Sequence, residues 1–185
     1  MILKKELIDA SINAKNAAKE AKDKAIAESV LGLVKKMKEL PPIIKDIMDT
    51  FFYVKKSDEN LGHLMWSTMC SEPCGFGLDF CNAIREEAGD RCGVRPHYMR
   101  RNCFSNLYVT SNGVYFGENY DELYPIDELK DRLRAESYEP MLKAMCLMIE
   151  AVPAYRDKVA FVLNDLLEKR GDVKAQSNGL VMPKE

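Results

Sequence analysis

Leu3, Leu7, Ala10, Ala14, Ala17 and Ala21 follow one another at steps of three and four, and Ile26, Val30, Leu33, Met37 and Leu40 repeat the pattern. That spacing predicts an amphipathic helix over residues 3–40. The stride from Ala21 to Ile26 is five, so the two stripes are out of phase. An unbroken helix of this length would run about 57 Å, longer than a compact domain of this size is wide. Either the helix breaks near Ser29–Gly32 or its first half projects as an arm. The small side chains of that half admit a close partner helix, which makes it a candidate element for homodimer formation.

Pro41-Pro42 ends the first helix, and Pro42 suits the first turn of the next. Ile43, Ile44, Ile47, Met48, Phe51, Phe52 and Val54 then give the strongest core signal in the chain. Ser57-Asp58-Glu59-Asn60 predicts a break and a cap for a short helix through Leu61, Leu64, Met65 and Met69. Leu78 to Ala88 reads as helix ending at Gly89, and Pro96 opens a short helix over 96–104. Leu107–Thr110 and Val114–Phe116 flank Ser111-Asn112-Gly113, and Asn-Gly between apolar runs predicts a β-hairpin over 107–116. Alternation sets Leu107 and Val109 on one face and Tyr108 and Thr110 on the other.

Pro125 to Arg134 presents Ile126, Leu129 and Leu133. Ser137 is placed to cap a helix carrying Met141, Leu142, Met145, Cys146, Met148 and Ile149. Pro153 is read as the start of a final helix through Leu166 that stops at Gly171. The predicted fold is mainly α with minor β: a helical bundle with a long N-terminal helix and one central hairpin. Residues 1–40 form a helical arm, 41–171 the core domain, and 172–185 a polar tail.

Composition adds little to this picture. Apolar residues make up 46% and charged residues 30% of the chain, values of an ordinary globular protein. The N-terminus is charged at once and no long apolar run follows, so neither a signal peptide nor a membrane span is expected. A cytoplasmic protein with reduced thiols is the corresponding expectation. The net charge of −2 is uneven: residues 1–40 hold nine lysines against six acids, and residues 106–150 nine acids against four bases.

Chemistry-bearing side chains concentrate in the middle. Five of the six cysteines lie between Cys70 and Cys103, with Trp66 and both histidines close by, and Arg91 to Cys103 carries four arginines and no acid. Zinc needs four sulfur or nitrogen ligands, commonly as two close pairs. Cys70 and Cys74 with Cys92, His97 and Cys103 are weak candidates, because no Cys-x2-Cys is present and Pro73 interrupts the first pair. No other cofactor is implied. Cys92 and Cys103 near His97 have the neighbours of a reactive thiol but no recognisable nucleophile motif. Gly75-Phe-Gly77 lacks the Lys and Ser/Thr of a phosphate loop.

Arg91, Arg95, His97, Tyr98, Arg100, Arg101, Phe104, Tyr108 and Tyr115 form the leading candidate surface, where guanidinium and ring side chains serve as docking anchors. Helix, turn, basic helix and hairpin in that order also fit a winged helix-turn-helix contacting DNA or RNA, although the turn is long and Glu118, Asp121 and Glu122 would repel phosphate. The expected function is binding without catalysis. It reads as a regulator or inhibitor of a nucleic-acid-handling system, of phage or mobile-element type, that engages a protein or protein–nucleic-acid complex through residues 91–116. A winged-helix DNA-binding regulator and a small Cys/His enzyme or zinc-site protein are the alternatives.

Overall fold

The computed structural model describes residues 2–70, 78–81, 93–97, 106–118 and 122–170. The protein is mainly helical with one small antiparallel sheet. Three helices, α1 (Ile2–Met37), α2 (Pro41–Ser57) and α3 (Glu59–Cys70), precede the strands β1 (Leu78–Cys81), β2 (Gly93–Pro96), β3 (Asn106–Thr110), β4 (Val114–Gly117) and β5 (Tyr124–Pro125). A 3-10 turn (Ile126–Glu128) leads into α4 (Leu129–Arg132), and a second such turn (Ala135–Ser137) leads into α5 (Tyr138–Arg170).

Helix α1 does not break at Ser29–Gly32. Ser29 Oγ donates to the Ala25 carbonyl at 2.8 Å, a bond within the helix that leaves its backbone ladder intact. Residues 6–25 are exposed throughout, while Val30 and Met37 are fully buried. The out-of-phase stripes are thereby explained: the second one packs, mainly on α5, while Leu7 and the alanines of the first stay exposed.

Helix α2 starts on its two prolines and buries Ile44, Ile47, Met48, Phe51 and Val54. Phe52, read from the sequence as core, is instead 55% exposed. The α2–α3 joint forms as the sequence predicts. The Leu61 amide donates to Asp58 Oδ1 at 2.9 Å, an N-terminal cap for α3, and Arg170 Nη1 at the end of α5 reaches Asp58 Oδ2 at 2.5 Å. At Gly62 the two helices touch: a Cβ there would lie 2.6 Å from Lys55 Cα, so glycine sets their spacing.

The Leu61 amide first, and then the Arg170 guanidinium, hold the Asp58 carboxyl below its ordinary value of 3.8. A depressed folded-state value contributes stability that is complete above the unfolded value and lost as pH falls through the folded one. Asp58→Ala is therefore expected to lower the thermal midpoint near pH 7, with the gap to wild type shrinking as pH falls below 3.8. Parallel melts near neutrality and at about pH 3 check this; a gap independent of pH would contradict it.

The strands lie in the order β1-β2-β3-β4-β5, each antiparallel to the next. The hairpin holds as predicted, with Leu107 opposite Phe116 and Val109 opposite Val114. Thr110 Oγ1 accepts from the amides of Asn112 and Gly113, both at 3.1 Å, and closes its turn. The hairpin is the centre of a five-stranded sheet rather than a lone ribbon. Leu78–Cys81, predicted as helix, pairs as a strand with Gly93–Pro96. Pro96, predicted to open a helix, is the last residue of β2. Leu78, Phe80, Val94, Leu107 and Phe116 face a single core with α2, α3 and α5. Phe51, Trp66, Phe80 and Tyr155 stack successively through it, with centroids 5.1, 5.9 and 5.0 Å apart.

Two further expectations are corrected at α5. Pro153 does not open a helix: α5 runs unbroken through it. An interior proline costs about 3 kcal/mol, and burial of Ala151, Val152 and Tyr155 on either side outweighs that cost. Ser137 does not cap the helix, since its buried Oγ has no hydrogen-bond partner among the described residues. Met141, Met145 and Met148 are core, as their spacing implies. Among the described residues no helix is long and apolar enough to cross a membrane.

Candidate functional site

Strand β2 divides the basic-aromatic segment. Arg91 precedes its first residue, whereas Tyr98, Arg100, Arg101 and Phe104 fall between His97, just past its last, and Asn106, the first residue of β3. Those five side chains lie outside the described residues, but the strand between them does not. Four residues of strand span about 13 Å, so the segment meets the sheet at two opposite ends. The helix starts expected at Leu78 and Pro96 are strand instead; the remainder of both expected helices, over 82–88 and 98–104, lies outside the described residues.

Three predicted site residues fall into one cross-strand row. Asp79 pairs with Arg95, and Tyr108 with Tyr115. Continuing the β2–β3 register from Val94↔Val109 sets Arg95 opposite Tyr108. Period-two alternation puts this row on the face turned away from Leu107 and Val109. The row is nevertheless covered. Tyr108 is 0% exposed and packs against Tyr115 and Leu123. The Arg95 side chain is 11% exposed, with Nε 3.9 Å from Asp79 Oδ2, which is ion-pair range rather than a hydrogen bond. Tyr108 and Arg95, expected as displayed anchors, are thus covered within the sheet. Tyr115 is half-buried beside them.

His97 stands at the open end of this row. Its side chain is 47% exposed, and Nδ1 lies 2.8 Å from Asp79 Oδ1. A carboxylate only accepts, so Nδ1 carries the hydrogen and Nε2 is left on the other side of the ring. An oriented, accessible imidazole of this kind suits a hydrogen bond to a bound group.

The same end of the sheet carries residues that the sequence reading passed over. Asn106 Nδ2 donates to the Glu118 carbonyl at 3.1 Å, and beside it opens a groove of about 300 Å³ lined by Phe116, Gly117, Glu122, Tyr124, Arg132 and Arg134, with Glu118. Arg132 Cζ lies 3.8 Å from the centre of the Tyr124 ring, a cation–π distance, and its Nε reaches Glu128 Oε2 at 2.5 Å. Arg134 Nη2 is 3.1 Å from Glu118 Oε1. The two guanidinium groups flank the buried Leu133 in sequence. They were masked by the acidic balance of residues 106–150; the Arg-Leu-Arg triplet after the Ile126/Leu129 stripe was the available signal.

Of the metal candidates, Cys74, Cys92 and Cys103 lie outside the described residues, Cys70 ends α3, and His97 is bound to Asp79. No cluster of three or more His, Cys, Asp or Glu side chains fit for a metal exists among the described residues. Comparison with protein-family models, curated proteins and solved structures finds no match to this chain.

Proposed function

We propose that this is a binding protein without chemistry of its own, which docks a protein or protein–nucleic-acid partner at the sheet end where His97, Asn106 and Glu118 meet. The role such docking serves is regulation or inhibition of a nucleic-acid-handling system. One observation carries the reading. The chain holding Tyr98, Arg100, Arg101 and Phe104 leaves the sheet at His97 and returns at Asn106, on the strand whose partner β4 borders the Arg132–Arg134 groove. Arginine and aromatic side chains are the usual anchors of a protein interface. Glu118, Glu122 and Glu128 stand beside Arg132 and Arg134, which disfavours a bare polyanion and favours a partner surface of mixed charge.

Affinity capture from the native host, with wild type beside Arg132→Ala/Arg134→Ala and Arg100→Ala/Arg101→Ala, tests this. Each double variant is expected to weaken partner binding by at least about 30-fold, the effect of one anchor residue worth about 2 kcal/mol. A partner retained equally by all three proteins refutes the proposal. Direct DNA or RNA binding that collapses with added salt, and that only the Arg100/Arg101 variant loses, would replace it with a nucleic-acid contact.

A further inference from the structure

Helices α2 and α3, drawn together at Gly62, leave between them a groove of about 240 Å³ lined by Met48, Phe51, Phe52 and Trp66, with Lys55 and His63 alongside. That volume is below the roughly 300–1,000 Å³ of small-molecule sites and suits protein side chains. Phe52 is exposed and shares one face of α2 with Lys55 and Lys56, three and four residues on. The acids next to this face are engaged: Asp49 by Lys45, Asp58 by Arg170, and Glu59 by His63 at 3.9 Å. Lys55 and Lys56 make no ion pair among the described residues. The groove is thus apolar within and positive at its rim.

A second exposed apolar group, of opposite charge, lies near the start of α1. Leu7, Ile8 and Ile12 are all exposed, and Ile8 and Ile12 are one helical turn apart. Residues 6–14 hold Glu6 and Asp9 and no base, with Lys5 and Lys15 at the two ends of that stretch. Helix α1 is continuous, and Ile8 precedes Ile26, its first partly buried residue among those described, by about 27 Å. No α1 residue lines the groove of its own chain. We propose that the α2–α3 groove of one copy seats the Leu7–Ile12 segment of a second copy, in a two-fold exchange. Ile8 and Ile12 cover Phe52 and Trp66, while Glu6 and Asp9 meet Lys55 and Lys56. A helix laid into an apolar groove is a recurrent mode of recognition, and opposed charges fix its register. Two-fold closure is the commonest symmetry of self-association, and it covers both patches on both chains. This contact does not rest on the sheet-end reading.

Sedimentation of the full chain is expected to show a monomer–dimer equilibrium that depends on concentration. Trp66 is the chain's single tryptophan, so its emission should move to the blue, and its quenching by acrylamide fall, as dimers form. Ile8→Asp/Ile12→Asp should weaken self-association at least about tenfold with the circular dichroism of the monomer unchanged, since both side chains are exposed there. Glu6→Lys/Asp9→Lys and Lys55→Glu/Lys56→Glu should each weaken it about threefold or more. An equimolar mixture of those two variants should dimerise again, because each then meets the charge it lacks in its own kind. A chain that stays monomeric at every concentration overturns the proposal. Dimers that the Lys55/Lys56 variant forms as readily as wild type assign the contact to α1 alone and overturn the groove as its seat. A mixture no tighter than its components does the same.

Discussion

Tyr108→Ala is expected to cost about 3–5 kcal/mol of folding stability, the range for removing a large buried aromatic side chain. Tyr108 is fully buried on the face of the sheet opposite the main core, where Tyr115 and Leu123 close over it. Loss of the ring leaves a cavity beneath the central strand pair, and neighbours fixed in the hydrogen-bonded ladder relax into it only in part. Tyr108→Phe keeps the ring and is expected to cost no more than about 1 kcal/mol, the net value of an ordinary hydrogen bond. Urea unfolding at constant slope measures both. The contrast with a docking role is sharp, because truncating an exposed anchor changes stability by no more than about 0.5 kcal/mol. A wild-type midpoint for Tyr108→Ala would return that ring to the binding surface.

Gly117→Ala is expected to be comparably damaging, at about 3 kcal/mol or more, the upper end of overpacking costs. A Cβ on Gly117 would sit 2.0 Å from the Glu122 carbonyl oxygen and 3.0 Å from its carbon. Both obstacles are backbone, so no side chain can swing aside. The β4–β5 connection would have to reroute, taking with it the Phe116–Tyr124 pair and the ring beneath Arg132. Thermal melts should show a large drop in midpoint, and partner capture should weaken together with it. If the alanine protein melts like wild type, the close passage of Glu122 over Gly117 is wrong.

Much of the helical framework was legible because its signals are local. The α2 stripe, the Asp58 cap and the Met141–Met148 stripe each follow from residues within a few turns of one another. The Asn-Gly turn was equally readable, since a hairpin is the one sheet element whose pairing is set by neighbours in sequence. Strands β1 and β2 were missed because they are four residues long. Leu78 and Phe80 offer only two alternating positions, too few to outweigh the helical spacing of the sequence that follows. Pro96 was misread because proline at a helix start and proline at a strand end look alike without the partner strand.

The candidate site shows the same division. Residue type singled out Arg95, Tyr108, Tyr115 and His97 as candidate docking anchors, and the sheet register sets them in adjoining positions. Exposure is a tertiary property, and it sorted them differently: Arg95 and Tyr108 inward, His97 outward. Asp79 could not be found from spacing, because it acquires its role from a strand distant in sequence, whereas Arg132 and Arg134 carried a local signal, the Arg-Leu-Arg triplet, that the acidic balance around it outweighed.

The packing of α1 on α5 sets a schedule for the growing chain. Val30 and Met37 are completed early in synthesis, yet the helix that covers them does not begin until Tyr138. At about 5–20 residues per second, the intervening hundred or so residues impose a delay of roughly 5–20 s. Throughout that interval the apolar stripe of α1 is open to chaperones or to the corresponding stripe on a neighbouring ribosome's product. Final closure of the core is thus a late, long-range event, and yield on expression should respond more to slowed translation and chaperone supply than a protein with so many helices would suggest.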